Sequence, residues 1–332
     1  MNRSARIALA WPRVALTALG LTALALNVAL GATSAHAQTS IRLLVGSPAG
    51  GGIDIYARII NDHMSRSLGL PVLIDNKPGA NGNIAAQAAI DGPADGSLIW
   101  IGAQSMLEIN PHAYSNLRWK VSDFTPLLKG VEIPLVLAAH PSVPAENLDE
   151  LVAWIKRNPG KLSYASYSVG TASHFLGFQF AERFGLDLTH VPYRGSGPQS
   201  SDLLAGHALF GFAQIPNVAP HVPDKRLKAI AVTGERRSRL LPQTPTMAEL
   251  GHGDLTGAVW FGQLIKAGAP VAIQARLLQA AKAAHADPEV RAKLEAQGFD
   301  VSGLSGADFL ADILRQSERW ARIVKATGFK AE

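Results

Sequence analysis

The sequence predicts an α/β protein of two successive units, each a sheet flanked by helices. Three observations carry that prediction. Short apolar runs rich in branched residues alternate with stretches of helical period. Glycine-rich loops separate several of those strands from the helices that follow. The alternation then starts again with different residues, over 332 residues, a length that suits about two domains.

The elements follow in order. IRLLVG (41–46) reads as a buried strand. Apolar residues at Ile55, Ile59, Ile60 and Met64 predict a helix from Asp54 that stops at Gly69. PVLIDN (71–76) is a second strand, NGNIAAQAAIDG (81–92) a small-residue helix and SLIWIGA (97–103) a third strand. Such a β-α-β-α-β series marks a parallel sheet with covering helices. The second unit opens on the strand IPLVLAAHP (133–141) and the helix ENLDELVAWIKRNPG (146–160). That helix has acids in its first turn, Lys and Arg in its last and Pro-Gly beyond it, as the helix dipole favours. LSYASY, THVPY, ALFGFAQI and LKAIAVTG read as strands, and TASHFLGFQFAERFG and PQSSDLLAG as helices. Three helices end the chain: 272–287, 288–298 and 306–328. The last carries Phe309, Ile313, Trp320 and Ile323 on roughly one face.

Composition narrows the class. With 47% hydrophobic and 17% charged residues, the chain has ample core material. Its start is different: Arg3, Arg6 and Arg13 precede an apolar run from Val14 to Ala32, then Ala35-His36-Ala37. This is the layout of a secretory signal peptide, cleaved after Ala37. The alternative is a membrane anchor, since the run approaches the ~20 residues a spanning helix needs. Cleavage removes three Arg and no acid, so the net charge falls from +5 to 5 − 3 = +2. A balance so near neutral gives no electrostatic case for nucleic acid. The absence of cysteine excludes thiol nucleophiles, Cys-based zinc sites and iron–sulfur clusters.

Three loops carry the candidate chemistry. In SPAGGGID, Gly50, Gly51 and Gly52 stand between a strand and a helix start. Free amides and the helix dipole favour an anion there, and glycine removes the Cβ that would hold it off. Asp54 is placed to cap the helix and Arg58 to pair with it four residues on. A tight turn with a capped helix explains the same residues. In YSVGTASH, Thr171 and Ser173 offer hydroxyls at a second helix start, as ligand donors or as caps. In VPYRGSGPQSSD, Gly195 and Ser196 begin a third, and Arg194 faces an anion or water. No H-E-x-x-H pair, nucleotide-binding P-loop, G-x-G-x-x-G or G-x-S-x-G motif is present, and spacing singles out no acid dyad. Backbone donors and hydroxyls without an evident reactive group are the profile of a binder.

Further segments extend this reading: RLLVGSPAGGGIDIYAR, LGLPVLIDNKPGANGNIAAQAA, ADGSLIWIG, INP, HPSVPAENLDELVAW, PGKLSYAS, GTASHF, HVPYRGSGP, LKAIAVTGERRSRLLPQTPTMAELG and DPEVRAKLEAQG. In this order and spacing they resemble the Bug family, the TctC-like solute receptors of tripartite tricarboxylate transporters. The resemblance covers essentially the whole chain after the signal peptide. It implies a two-lobed periplasmic binding protein of type II, a Venus-flytrap with the ligand in the cleft. Lobe one takes 38–137 plus 257–332 and lobe two 138–256. It further implies a small carboxylate ligand, a mono-, di- or aromatic acid, held by Gly50, Gly51, Gly52, Thr171, Ser173, Gly195 and Ser196. Gln104, Ser105 and Gln214 are secondary lining. The expected partner is the membrane permease of such a transporter; no cofactor, metal or catalysis is required, and the chain is expected to be a monomer. Two alternatives are a periplasmic enzyme acting on a carboxylate with the same loops, and a receptor that only signals to a sensor.

The departures from the family pattern concern polarity. Ser47 stands where the family often has an aromatic residue, Ile53 where it has Thr or Ser, and Ala172 and Ser173 where it reads Ser-Gln. Ala213 and Gln214 replace a frequent Asp-Asn. Together these lean toward a less polar acid than citrate or an amino acid. Glu108 stands where a small residue is common: buried, it repels an anion unless protonated or paired; otherwise it faces out.

Overall fold

The computed structural model describes residues 40–331, so the signal peptide and its cleavage site lie outside the described residues. The first sheet is built on β1 (Ile41–Val45), β2 (Val72–Asn76) and β3 (Leu98–Ala103). β1 lies between the other two, parallel to both. Its Ile41, Leu43, Leu44 and Val45 are buried, as a strand covered on both faces requires. Helices α1 (Gly52–Leu68) and α2 (Asn83–Asp91) connect them. α1 buries Ile53, Tyr56, Ala57, Ile60, Met64 and Leu68, while Ile55 and Ile59 are only partly covered, so its inner face is rotated from the one expected. After β3 the chain forms a π-helical turn (Ser105–Ile109) and the short α3 (Asn110–Ala113).

The second sheet contains β5 (Leu162–Ser166), β6 (Leu188–Pro192), β7 (Phe210–Gln214) and β8 (Lys228–Val232). Its helices are α4 (Leu148–Lys156), α5 (Ala172–Phe184), α6 (Ser196–Ala205) and the one-turn α7 (Ile215–Val218). β5 pairs in parallel with β6 and β7.

A 16-residue strand, β4 (Phe124–Ala139), belongs to both sheets. From Phe124 to Pro134 it pairs antiparallel with β9 (Ala258–Lys266), which inserts beside β3; from Leu135 to Ala139 it pairs with β7 and β8. Only the second half of β4 was expected as a strand, and β9 was not assigned at all. The first sheet is therefore mixed rather than parallel. Thr233 ties the two crossings together. Its hydroxyl accepts the Leu135 N–H at 2.9 Å and donates to the Gly257 carbonyl at 2.5 Å.

The chain ends in α8 (Val271–Ala286), α9 (Pro288–Ala296), the two-residue β10 (Asp300–Val301) and α10 (Gly306–Thr327). Phe309, Ile313, Trp320 and Ile323 are buried together on α10, as the periodicity predicted. α10 also reaches the second unit. The Trp320 ring lies 6.0 Å from Phe175 of α5, and Arg319 donates to the carbonyls of Asp254 and Thr256. Beyond it Phe329 packs on Phe175 and His174, while the Ala331 N–H donates to Ala113 at 2.8 Å. Among the described residues no helix is long and apolar enough to cross a membrane.

Candidate ligand-binding site

The candidate residues all sit at carboxyl ends of strands, where open α/β sheets bind ligands. At the end of β1 the helix cap is Gly51, not Asp54 as expected. Asp54 is the third residue of α1, buried, and its carboxylate reaches back to the Gly50 N–H at 2.8 Å. It also accepts from Arg58 Nε at 2.8 Å and Asn76 Nδ2 at 3.0 Å. Burial raises its pKa, but the Arg58, Gly50 and Asn76 hydrogen bonds outweigh burial and hold it below the usual carboxylate range. The Gly51 N–H donates to Pro48 O at 3.2 Å. Two of the three glycine amides are thus engaged within the protein. The donors left at this helix start are those of Gly52 and Ile53, which have no intrahelical acceptor. Gly52 also meets a packing demand: a Cβ there would lie 3.3 Å from the Phe261 ring.

At the end of β5 neither hydroxyl caps α5, although Thr171 holds the cap position. Thr171 Oγ1 donates to Ser168 O at 2.7 Å and Ser173 Oγ to Phe212 O at 2.5 Å. Their protons face backbone carbonyls, so the donors left without an acceptor at this helix start include the amides of Ala172 and Ser173. After β6, Gly195 has φ +116°, a conformation that L side chains rarely adopt, and donates its N–H to Tyr167 O at 2.7 Å. That bond sets the start of α6, with Ser196 as its first residue, beside the start of α5. Arg194 is exposed. Gln214, half-buried, ends β7 two residues past the Phe212 carbonyl that Ser173 holds. Thr171, Ser173, Gly195, Ser196 and Gln214 therefore share one edge of the second sheet. Gly50, Gly51, Gly52, Gln104 and Ser105 share the corresponding edge of the first, on the adjacent strands β1 and β3.

A cavity of about 320 Å³ is lined by Asn81, Asn110 and Tyr114 from the first unit and Val169 and Gly170 from the second, with Phe329; none of the ten sequence-predicted site residues is among its lining. Asn81 and Asn110 were not among the candidates. Asn81 Nδ2 donates to Asn110 Oδ1 at 2.8 Å, and Asn110 Nδ2 donates to Asn81 O and to Asn83 Oδ1. This clamp holds a run from Gly79 to Gly82 with positive φ throughout, including Ala80 and Asn81. The available signal was the PGANGN composition, since Gly and Asn tolerate that conformation.

Glu108 faces inward. It is 1% exposed, accepting from Trp260 Nε1 at 2.6 Å and from Gln104 Nε2 at 2.9 Å. It sits in the π-helical turn, an irregularity frequent at functional sites.

His174 of α5 faces His190 of β6. Their rings stack at 4.0 Å, and Tyr164 stacks on His190 at 5.0 Å. Burial pushes His174 down to about 4; burial and the neighbouring His174 push His190 down to about 3. Both are neutral in the folded protein below 6.5, where the unfolded chain takes up protons. Stability is therefore lost as pH falls from about 6.5 toward 4. Urea midpoints between pH 7 and 4.5 are expected to drop steeply in the wild type and less in His190→Phe. Parallel pH profiles would refute this assignment.

Two α/β units joined by crossing strands are the architecture of a solute-binding protein of the two-lobed periplasmic type. The comparisons specify the family. Residues 56–329 match the family model of the tripartite tricarboxylate transporter family receptor, TctC, and the chain belongs to this family. It is a receptor, not an enzyme. Protein BugT of Bordetella pertussis is 31% identical over 300 residues, covering 87% of this chain and 90% of that protein. The structure of the periplasmic binding protein BugD superposes with a TM-score of 0.77 at 28% identity, covering 88% of this chain and 99% of BugD. An R. palustris protein solved with adipate gives 0.79 at 28% identity, covering 88% and 98%.

Proposed function

We propose that the chain is exported by its N-terminal signal peptide, with cleavage after Ala37. In the periplasm it captures a small organic carboxylate as a monomer and delivers it to the membrane permease of a tripartite tricarboxylate transporter. The reading is supported by two sheet edges that each end in helix starts with amides lacking a protein acceptor: Gly52 and Ile53 on one, Ala172, Ser173 and Ser196 on the other. A carboxylate touching both edges favours the closed state, because only there does it meet both. Adipate in a relative of the same fold supports this ligand class. The lobes are taken as 38–137 plus 257–332 and 138–256; the change of strand partners at Pro134/Leu135 falls within three residues of the first bound. Ile53, Ala172 and Ala213 are buried and apolar, which favours a mono-, di- or aromatic acid over citrate or an amino acid.

Calorimetry with benzoate, adipate, citrate, an amino acid and a neutral sugar tests the reading. Binding of a sugar or an amine with no acid bound would overturn it. Ser196→Pro probes the amide directly. Proline is tolerated at the first position of a helix but has no N–H. Loss of one hydrogen bond to a charged group, worth about 1.5–3 kcal/mol, should weaken carboxylate binding at least roughly tenfold. The melting temperature should stay close to that of the wild type. Unchanged affinity would remove this helix start from the site.

A further inference from the structure

We infer that Glu108 acts through Gln104 as a proton-dependent gate on the ligand site, so that a carboxylate binds when Glu108 is protonated and takes up one proton wherever Glu108 is ionised beforehand. The inference rests on the receptor reading above and concerns the chemistry of the same cleft. Ser47 and Gln104 lie just beyond the carboxyl ends of the adjacent parallel strands β1 and β3, whose last paired residues are Val45 and Ile101. Both carry a buried polar atom without a partner, Ser47 Oγ and Gln104 Oε1. Buried polar atoms are normally paired, so two unpaired ones just past the ends of adjacent strands, one of them beside Gly51 at the start of α1, mark where a polar guest belongs.

What Gln104 offers that guest depends on Glu108. With Glu108 ionised, the carboxamide must donate Nε2 to Glu108 Oε2, leaving Oε1 as the free atom. That arrangement presents an acceptor to an incoming anion and places a buried negative charge behind it, and both oppose binding. With a proton on Oε2, Glu108 donates to Gln104 Oε1 instead. The carboxamide turns over and Nε2 becomes the free group, a donor for the ligand carboxylate. Trp260 Nε1 remains on Glu108 Oε1 in both states.

The surroundings make this proton available. Burial raises Glu108 to about 8, against the Trp260 and Gln104 hydrogen bonds and the charge of Lys129; Asp312 raises it further. The charges that face it come from two elements. β4 supplies Lys129, held by Glu132 at 2.5 Å and Asp312 at 2.8 Å. α10 supplies Asp312, paired with Arg315, and Arg319, which is bonded to the Asp254 and Thr256 carbonyls. Among the described residues no cation forms an ion pair with Glu108; Lys129 and Arg319 act on it only at longer range. A cavity of about 480 Å³, lined by Glu108, Trp260, Lys129 and Arg319 but not by Gln104, gives water a route to the acid.

The test is titration calorimetry with benzoate and adipate in buffers of different ionisation heat, from pH 6 to 9.5, on wild type and Glu108→Gln. Above the titration of Glu108, wild-type affinity should fall about tenfold per pH unit, with one proton taken up per acid bound. Glu108→Gln should bind with no proton uptake and a nearly flat profile. If that variant does not fold, the infrared carboxyl band that appears in the wild type on binding reads the same proton. Binding without proton uptake at pH 9 would overturn the inference and leave the receptor reading standing. Failure of both acids, and of the other acids tried, to bind at any pH would overturn the two together.

Discussion

Gly211→Ala is expected to destabilise the protein by at least about 3 kcal/mol, more than overpacking usually costs. Gly211 lies in β7, in register with Ala138 of β4 on one side and Ala165 of β5 on the other. A Cβ at this position would sit 2.3 Å from the Ala165 carbonyl oxygen and 2.9 Å from its nitrogen. These are main-chain atoms of a buried neighbouring strand, so no side chain can rotate away. β5 would have to leave β7, which breaks the Ala165–Gly211 pairing and disturbs the bond from Gln199 Nε2 to Ala165 O at 3.1 Å. The control is Gly253→Ala in the exposed 3₁₀ turn Gly253–Leu255, where nothing stands within 4 Å and the added methyl restricts the unfolded chain. Denaturant unfolding should show a large loss for the first and little change for the second. Equal stabilities would mean that the close approach of β5 to β7 does not constrain the fold.

The second large effect is expected at Lys129, a 7% exposed lysine in β4. Its ammonium contacts Asp312 of α10 at 2.8 Å and Glu132 at 2.5 Å. Such a group is stable inside only because acids surround it, and removing one partner of a buried pair costs about 3–5 kcal/mol. Asp312→Leu leaves the lysine with a single, half-exposed acid and should fall near the lower end of that range. Lys129→Met costs less, because Asp312 keeps Arg315. The double variant Lys129→Met with Asp312→Leu should recover most of the loss, since apolar replacements remove the desolvation cost along with the attraction. Additive losses in this cycle would show that the two charges do not act as a pair.

The alternation of strands and helices was legible because each element's period is written in its own residues. The loops were legible for the same reason: strand, glycines and helix start are neighbours in the chain. β9 was missed although VWFGQLIK is apolar, because its role comes from β3 and β4, more than a hundred residues away in sequence. Asp54 was read as a cap because Asp caps helices; its position one turn inside depends on Asn76 of β2. The hydroxyls of Thr171 and Ser173 were found, but their acceptors, Ser168 O and Phe212 O, are placed by the turn and by β7.

By itself the sequence determined the α/β class, the order of most elements, the glycine-rich loops and the family, since these depend on local period, turn chemistry and motif order. Tertiary structure alone decided which donors remain free, that Glu108 is buried against Trp260, and that β4 belongs to both sheets. The physical reason is that hydrogen-bond donors and buried charges are assigned by competition among partners distant in the chain. That competition is resolved only when the strands pair and the helices pack.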